Sequence, residues 1–600
     1  KVYVRASEDA NVRGLLVAVD SSASLSDSDC ANPDVKNGVL DGQAVSLVNT
    51  AVDKLGHVTN LGELTTTRGN VTMVGYVVNQ QGIARATTSV VSNGSVYLLA
   101  KDTATAFVTN RSSLRGGRVT LGQNSLTEIL PEVSDTTTVQ DGAAGIGLDK
   151  PSSVQILGQD IRLAGASYDQ DGKETIKGAH IIAPVGKVRL MALDDPSAQL
   201  STSASIFVGD SPTSQNARVH IASGAKIDVA GLNDVAVAAG RSTVEIDLRG
   251  DELKDSPVNQ QGPLRGQKVH LDVDHALANA EAGKPTLVAL DTLQSLKAQQ
   301  QRGVAERSTL GGTVEVFSQG EAIIESGVVI DLSGGSLKFT PGSVKTTLLT
   351  ANGHSVDLAD ANAETRYDGI ATRYVRDFGR WNVQEVIDLG QSFRFDPGYT
   401  EGKDAGSLAV FGIGGLFVRP TIAGRTVTGE RQREMGIQPK GARWTVGYDD
   451  VSQEDLNKTG QVVRSQDYKL NQNVEVVAAA AALPPGFKLG YVLPADLKSA
   501  LHLDSTQVGK DKVAQLQVFS NQIVAVRDEL RAPQGGSVVI IGSGVTVNAN
   551  IEVVSGTINL AARNTLSSRL EIADGVTLSV RGVWVNDLPG AGAQNSDAPL

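Results

Sequence analysis

Between Gly311 and Gly335 the chain reads GGTVEVFSQGEAIIESGVVIDLSGG, three short alternating runs with few residues between them. Val314 and Val316 fall on one face, then Ala322 and Ile324, then Val328, Ile330 and Leu332. The intervening positions are mostly polar or glycine. Alternation with a period of two predicts strands that bury a single face.

The pattern recurs along the chain. VTM at Val71 is followed by VYL at Val96, 25 residues on, and by VTL at Val119, 23 further. VHI at Val219 has counterparts at Val244 and Val269, again 25 apart, and Val538, Ile558 and Leu578 are spaced by 20. Runs at Val154 and Val188 are spaced more widely, by 31 to 35, an excess that fits one turn loop such as SYDQDGKET. A unit of three short strands cannot bury its own face, whereas stacked units bury a continuous one. The expected fold is therefore all-β, a parallel β-helix with inserted loops and a short helix. Some twenty coils would make a rod on the order of 100 Å long at the usual strand spacing. Val219, Ile221, Val244, Ile246, Val269 and Leu271 are expected to point inward, with Glu245 and His270 outward. Glycines precede several strands (Gly69, Gly94, Gly116, Gly117, Gly186, Gly311, Gly312, Gly535, Gly536), where a tight corner calls for positive φ. Prolines 151, 184 and 533 sit at strand borders, where no ladder bond is lost.

Two regions break the rhythm. Within residues 276–310 a helix is expected from about Pro285 to Arg307, with Leu287, Leu290, Leu293 and Leu296 at three-residue spacing, packed outside the stack or capping a side. From about Ser336 to Ala500 irregular loops replace clean coils, and this region holds 15 of the 24 Phe, Tyr and Trp residues. The resulting division is coils over 1–275, a helical insertion over 276–310, a coil over 311–335, an irregular aromatic-rich region with returning strands over 336–500, and coils over 501–600.

Composition narrows the class. Six hundred residues exceed one ordinary core, and 64 glycines with only 4% aromatics suit thin, tightly turned coils. A net charge of −12 argues against nucleic acid or an anionic membrane as the main partner. No apolar run is long enough to span a bilayer, so no membrane insertion is expected. The single cysteine, Cys30, excludes an internal disulfide framework. KVYVRASEDA starts inside an alternating pattern with neither Met nor a signal peptide, so the chain is expected to be a segment of something longer.

The repeats GGTVEVFSQGEAIIESGVVIDLSGG, GGSVVIIGSGVTVNANIEVVSGTINLAARN and SSVQILGQDIRLAGA resemble those of filamentous haemagglutinin-type exoproteins of two-partner secretion. More specific is FDPGYTEGKDAGSLAVFG followed by AGRTVTGERQRE, similar to a segment typical of a large subgroup of that family. The resemblance implies a very long secreted or cell-surface bacterial protein, exported by an outer-membrane barrel transporter and serving adhesion, biofilm contact or toxin delivery. It also implies a right-handed β-helix. The family's amino-terminal secretion domain, with its Asn-Pro-Asn signatures, is not matched, and ANPD at Ala31 to Asp34 does not fit it.

Candidate chemistry is sparse. HLDVDH would set His270, Asp272 and Asp274 on one strand face, as a solvated face rather than a metal site. SLSDSDCANPD lacks the spacing of a calcium loop. No neighbouring carboxylates, nucleophile elbow, phosphate loop or zinc spacing points to catalysis, so no enzyme activity and no cofactor are expected. A β-helical polysaccharide-active enzyme and a passive stalk presenting a toxin are the alternatives. Two segments stand out for recognition. Arg249, Gly250 and Asp251 form the tripeptide that integrins read on an exposed turn; the plain reading is a solvated turn, with Gly250 at the corner and the charges facing water. TRYVRDFGRW combines Arg373, Arg376 and Arg380 with Tyr374, Phe378 and Trp381, the residue types that dominate binding hot spots. Its plain alternative is internal packing, with the arginines paired to Asp377 and Glu385. The expected contact is a host-cell or bacterial surface glycan or protein.

Overall fold

The computed structural model describes residues 2–6, 14–19, 39–40, 43–44, 57–100, 117–140, 152–193, 196, 217–388, 391–434, 436–447, 470–478, 481–563 and 568–582. Cys30, the SLSDSDCANPD stretch, Gly116 and Pro151 lie outside them. The described chain is mostly strand with few short helices, and its larger sheets are parallel apart from one pair.

A twelve-stranded sheet takes its strands in chain order, from Val2–Ala6 to Thr557–Ala562. A second sheet of seven runs from His57–Asn60 to Gly415–Val418, and a third of seven from Glu63–Thr66 to Thr421–Ala423. From Asn70 to Ala423 the chain visits first, second and third sheet in turn and then returns to the first. Beyond Leu470 the first sheet continues, and two further parallel sheets of five and three strands alternate with it.

Register explains the core. In the first sheet Val71, Val96, Val154, Val188, Val314 and Leu408 stand opposite one another on successive strands. Met73, Leu98, Ile156, Leu190, Val316 and Val410 form a second such row, and every member of both rows is fully buried. The second sheet contributes Val78, Val119, Ile161, Val219 and Ala322, and the third Ile181, Ile227, Ile330 and Ile422. All belong to one continuous core. Each round of three strands covers the apolar edge of the previous one, which is what stacking requires.

Equal spacing turns out to be a poor guide to which strands pair. Val119 is a second-sheet residue opposite Val78, and the next first-sheet partner of Val96 is Val154. Leu578 stands opposite Ile551 in another sheet, whereas Val538 and Ile558 are true neighbours. Val244 and Val269 do not follow Val219 at all. They lie on Thr243–Asp247 and Lys268–Asp272, an antiparallel pair outside the stack. They turn to the core of that excursion instead of the stack: Val269 and Leu271 are fully buried, Val244 and Ile246 are half-buried, and Glu245 is exposed, while His270, expected to face outward, is largely covered.

The glycines before first-sheet strands are required by close approach more than by positive φ. A Cβ on Gly406 would lie 1.9 Å from the Gly312 carbonyl oxygen, and one on Gly556 would lie 2.2 Å from that of Gly536. Gly535, with φ +71°, does occupy the left-handed region.

Two long excursions, 229–312 and 332–406, leave the stack at the same corner in successive rounds. They join through Val235–Val237, Ser336–Phe339 and Tyr399–Gly402, which form a three-stranded sheet. Their own core gathers Leu248, Leu271, Leu287 and Leu293 from the first excursion with Leu349, Leu358 and Tyr367 from the second. The helix expected over Pro285–Arg307 is instead Leu290–Ala298 and the one-turn Val304–Arg307, and a separate helix, Val273–Glu281, precedes it. Leu290–Ala298 and Val304–Arg307 are parted by a short strand, Gln301–Gly303, which pairs with Thr138–Gln140. Tertiary pairing overrides helix propensity there. Leu287, in the chain ahead of the helix, and Leu293 are buried, but Leu290, at the first helical position, is 41% exposed. The helical part thus belongs to a unit that starts well before residue 276, and full rounds resume at Ser407 inside the stretch expected to be irregular.

Candidate recognition surface

The two segments singled out in the sequence lie on this shared unit. Arg249 and Gly250 follow the strand Thr243–Asp247 on an exposed turn, and Asp251 opens a one-turn 3-10 helix. Glu252 shapes the turn: its Oε2 accepts the backbone N–H of Gly250 at 2.9 Å and that of Arg249 at 3.2 Å. Burial pushes the Glu252 carboxyl up, but these amides and the nearby Arg249 charge outweigh it and hold the group below its usual range. Leu253, 2% exposed, anchors the turn to the excursion core. The Arg249 side chain is 73% exposed and pairs with Asp247 at 2.9 Å, so its guanidinium is displayed but engaged.

The second segment forms an antiparallel hairpin, Arg373–Phe378 with Val383–Asp388, closed by a 3-10 turn over Gly379–Trp381. Asn382 accepts the left-handed conformation that the turn needs, with φ +50°. Arg376 lies over the Phe378 ring at 5.0 Å and Arg380 over Trp381 at 5.7 Å, so cations and aromatic faces meet at the turn. Arg376 also stands opposite Glu385 on the ladder, the neighbour that the packing alternative named. Asp377 stands opposite Gln384. Internal packing does not describe the rest, because Trp381 is 67% exposed and Val383, Val386 and Ile387 are exposed with it. The following strand Ser392–Asp396 alternates Phe393 and Phe395, both exposed, with Arg394, which turns inward to Asp272 and Asp357. Arg373 donates to the Gln267 side chain, and Gln267 is backbone-bonded to Leu248, the residue before Arg249. The fold therefore joins the two candidate segments through Gln267.

The HLDVDH side chains disperse. Asp272 caps the helix Val273–Glu281 and pairs with Arg394. Asp274 sits in that helix rather than on the strand face, bonded to Lys297 and to the Ser242 hydroxyl. His275 meets Asp360 at 2.6 Å, and His270 lies 3.8 Å from Glu245. Each finds a separate partner within the excursion unit.

The two segments that carried the family resemblance interlock. Gln432, from the helix Glu430–Glu434, accepts the backbone N–H groups of Gly402 and Gly429 and donates to the Gly402 carbonyl. Arg431 stacks on Tyr399 at 3.7 Å and pairs with the buried Asp396. Burial raises the Tyr399 hydroxyl well above its usual range, against the pull of Arg431. This knot ties the second excursion to the next round of the stack.

A row of buried and half-buried charges escaped sequence reasoning. Arg118, Asp160, Arg218 and Glu321 stand in one register on neighbouring second-sheet strands, facing outward, with alternating sign. Their separations of 42, 58 and 103 residues carry no period. A strap, residues 481–499, crosses this face. Gly490 donates its N–H to His220 Nδ1 at 2.9 Å and accepts from Arg218 at 2.7 Å, and Leu493 donates to Glu321 at 3.0 Å. His220, fully buried, meets Glu325 at 2.7 Å through its other ring nitrogen. Leu493 and Leu497 pack on Ile323 and Phe417. The ladder is used internally to hold the strap.

A cleft of about 430 Å³ lies where the first excursion returns to the third sheet, lined by residues including Thr88, Pro131, Arg302, Glu306 and Arg307. Glu306 pairs with Arg241, and no second carboxylate lines the cleft among the described residues.

No family model matches the chain, and neither a curated protein nor a solved structure is similar to it.

Proposed function

We propose that this chain is a rod-like segment of a large secreted or cell-surface bacterial exoprotein of the filamentous haemagglutinin type, mediating adhesion or cell–cell contact. The repeated rounds are read as a right-handed parallel β-helix, a reading supported by the cyclic order of the three sheets and by the unbroken residue rows between rounds. Contact is assigned to the unit built from the two excursions. The observation that carries the assignment is the hairpin 373–388, with Trp381, Val383, Val386 and Ile387 all exposed, and the next strand, Ser392–Asp396, which pairs with Gly342–Thr346 and exposes Phe393 and Phe395. Several large apolar side chains left exposed within one unit mark interaction sites rather than ordinary surface. Loops mounted on a rigid scaffold are where recognition concentrates. The exposed turn at Arg249 to Asp251 extends the same unit.

Replacing residues 372–389 by a short turn tests the assignment. The shortened protein, with an unchanged circular dichroism spectrum, is expected to lose most of the parent's attachment to cells and surface glycans. Attachment equal to the parent's would overturn it.

A further inference from the structure

We propose that the hairpin pairs edge to edge with the same hairpin of a second copy of this chain, antiparallel, through the strand Arg373–Phe378. The inference rests on the contact reading above and names its partner.

The hairpin forms a sheet of two strands, and neither has a third neighbour among the described residues. Each outer edge therefore offers unpaired backbone N–H and C=O groups, a template for another strand. A two-stranded ribbon is marginal in water by itself, and this one exposes apolar side chains on both faces. Val383 and Ile387 share one side of their strand, and Val386 projects from the other. A partner that covers only one face would leave the other wet. Pairing two copies through their Arg373–Phe378 edges, related by a two-fold axis, makes a four-stranded sheet of a size that can be stable where a two-stranded ribbon is marginal.

The sequence of the edge selects the register. In RYVRDF, an antiparallel self-pairing centred on Val375 sets Arg373 opposite Asp377 twice and Tyr374 opposite Arg376 twice. Opposite charges and cation–aromatic pairs at directly facing positions are favourable. Centring one residue later sets Arg376 against Arg376, which is unfavourable. The other edge, VQEVID, has no register that pairs opposite charges, since both its charged residues are acidic. Arg373 already faces Asp388 within the hairpin and donates to Gln267. Its guanidinium, with five donors in a planar fork, can serve a further carboxylate alongside. Two rods joined this way meet through identical patches, which is the geometry a contact between two like surfaces needs.

The test uses the whole chain. Sedimentation equilibrium should give a concentration-dependent dimer. Asp377→Arg, whose ladder neighbour inside the hairpin is the neutral Gln384, should raise the dissociation constant about tenfold by setting like charges opposite each other. Asp377→Asn should move it the same way by a smaller factor, which keeps the test valid if the first variant disturbs the hairpin. With Cys30 replaced by Ser, Val375→Cys should oxidise to a disulfide-linked dimer, because the residue faces itself, whereas Arg380→Cys at the turn should stay monomeric. A parent that remains monomeric at every concentration overturns the proposal, as does cross-linking at 380 equal to that at 375, or a dimer indifferent to both changes at 377. If the parent is monomeric while loss of the hairpin still abolishes attachment, only the self-pairing falls and the contact reading stands.

Discussion

Single residues in this protein matter chiefly through how closely neighbouring backbones approach. A Cβ on Gly402 would lie 1.4 Å from the Val427 carbonyl oxygen, and both residues belong to the knot around Gln432. Gly402→Ala is expected to cost about 2–4 kcal/mol, whereas Gly62→Ala, with nothing within 4 Å of its Cβ, should be nearly silent. Chemical unfolding of the two variants checks this. Charge in a stacked register has an equally specific effect. Asp228 and Asp331 stand opposite each other on neighbouring third-sheet strands. Burial, and secondarily the Asp331 charge, push the Asp228 carboxyl up, against a hydrogen bond from the Ala230 amide. With the folded pKa raised above the unfolded one, folding disfavours the ionised form, so this group costs stability at neutral pH; the cost shrinks as pH falls below its folded pKa and is gone below the unfolded one. Asp228→Asn keeps an oxygen for Ala230 and removes the charge. It should raise Tm slightly at pH 7, by about 1–2 °C, and the advantage should shrink towards pH 4 in a calorimetric series.

At the scale of elements, the strap 481–499 shows how a segment whose one helix is the short Ala495–Ser499 is fixed from outside. Its amides and carbonyls are met by side chains of the second sheet, and its leucines cover an apolar strip on that sheet. Gly490, at φ +88°, passes so close to Arg162 that a Cβ would lie 2.3 Å from the guanidinium carbon. Gly490→Ala should lift the strap locally, giving faster cleavage between 481 and 499 in limited proteolysis while the thermal midpoint of the stack barely moves. Equal protease resistance would mean that the strap is held by its leucines alone. The strand alternation around these contacts was legible in the sequence, because facing inward or outward is a local property with a period of two. The strap and the charges beneath it were not, since Arg218, Glu321 and Gly490 are brought together only by folding.

For the whole molecule, the length of the first sheet sets the scale. Its twelve strands among the described residues, at about 4.8 Å spacing, span on the order of 50 Å. Small-angle scattering of the full chain should give an elongated particle with a side lobe for the excursion unit, and a compact globular profile would contradict the proposed winding.

The sequence by itself determined the all-β character, the buried face of nearly every strand and the glycine-lined corners, since each follows from alternation or local backbone sterics. It also singled out the hairpin and the turn at Arg249 as unusual in composition. Tertiary structure alone decided which strands are neighbours, because parallel pairing joins residues separated by a whole round plus whatever excursion lies between. Val188 meets Val314 across 126 residues, while Val244 meets Leu271 antiparallel within one excursion. It alone decided, too, that two excursions from successive rounds share one core and set both candidate segments on the same unit, because burying apolar surface is a property of the assembled chain and has no local period.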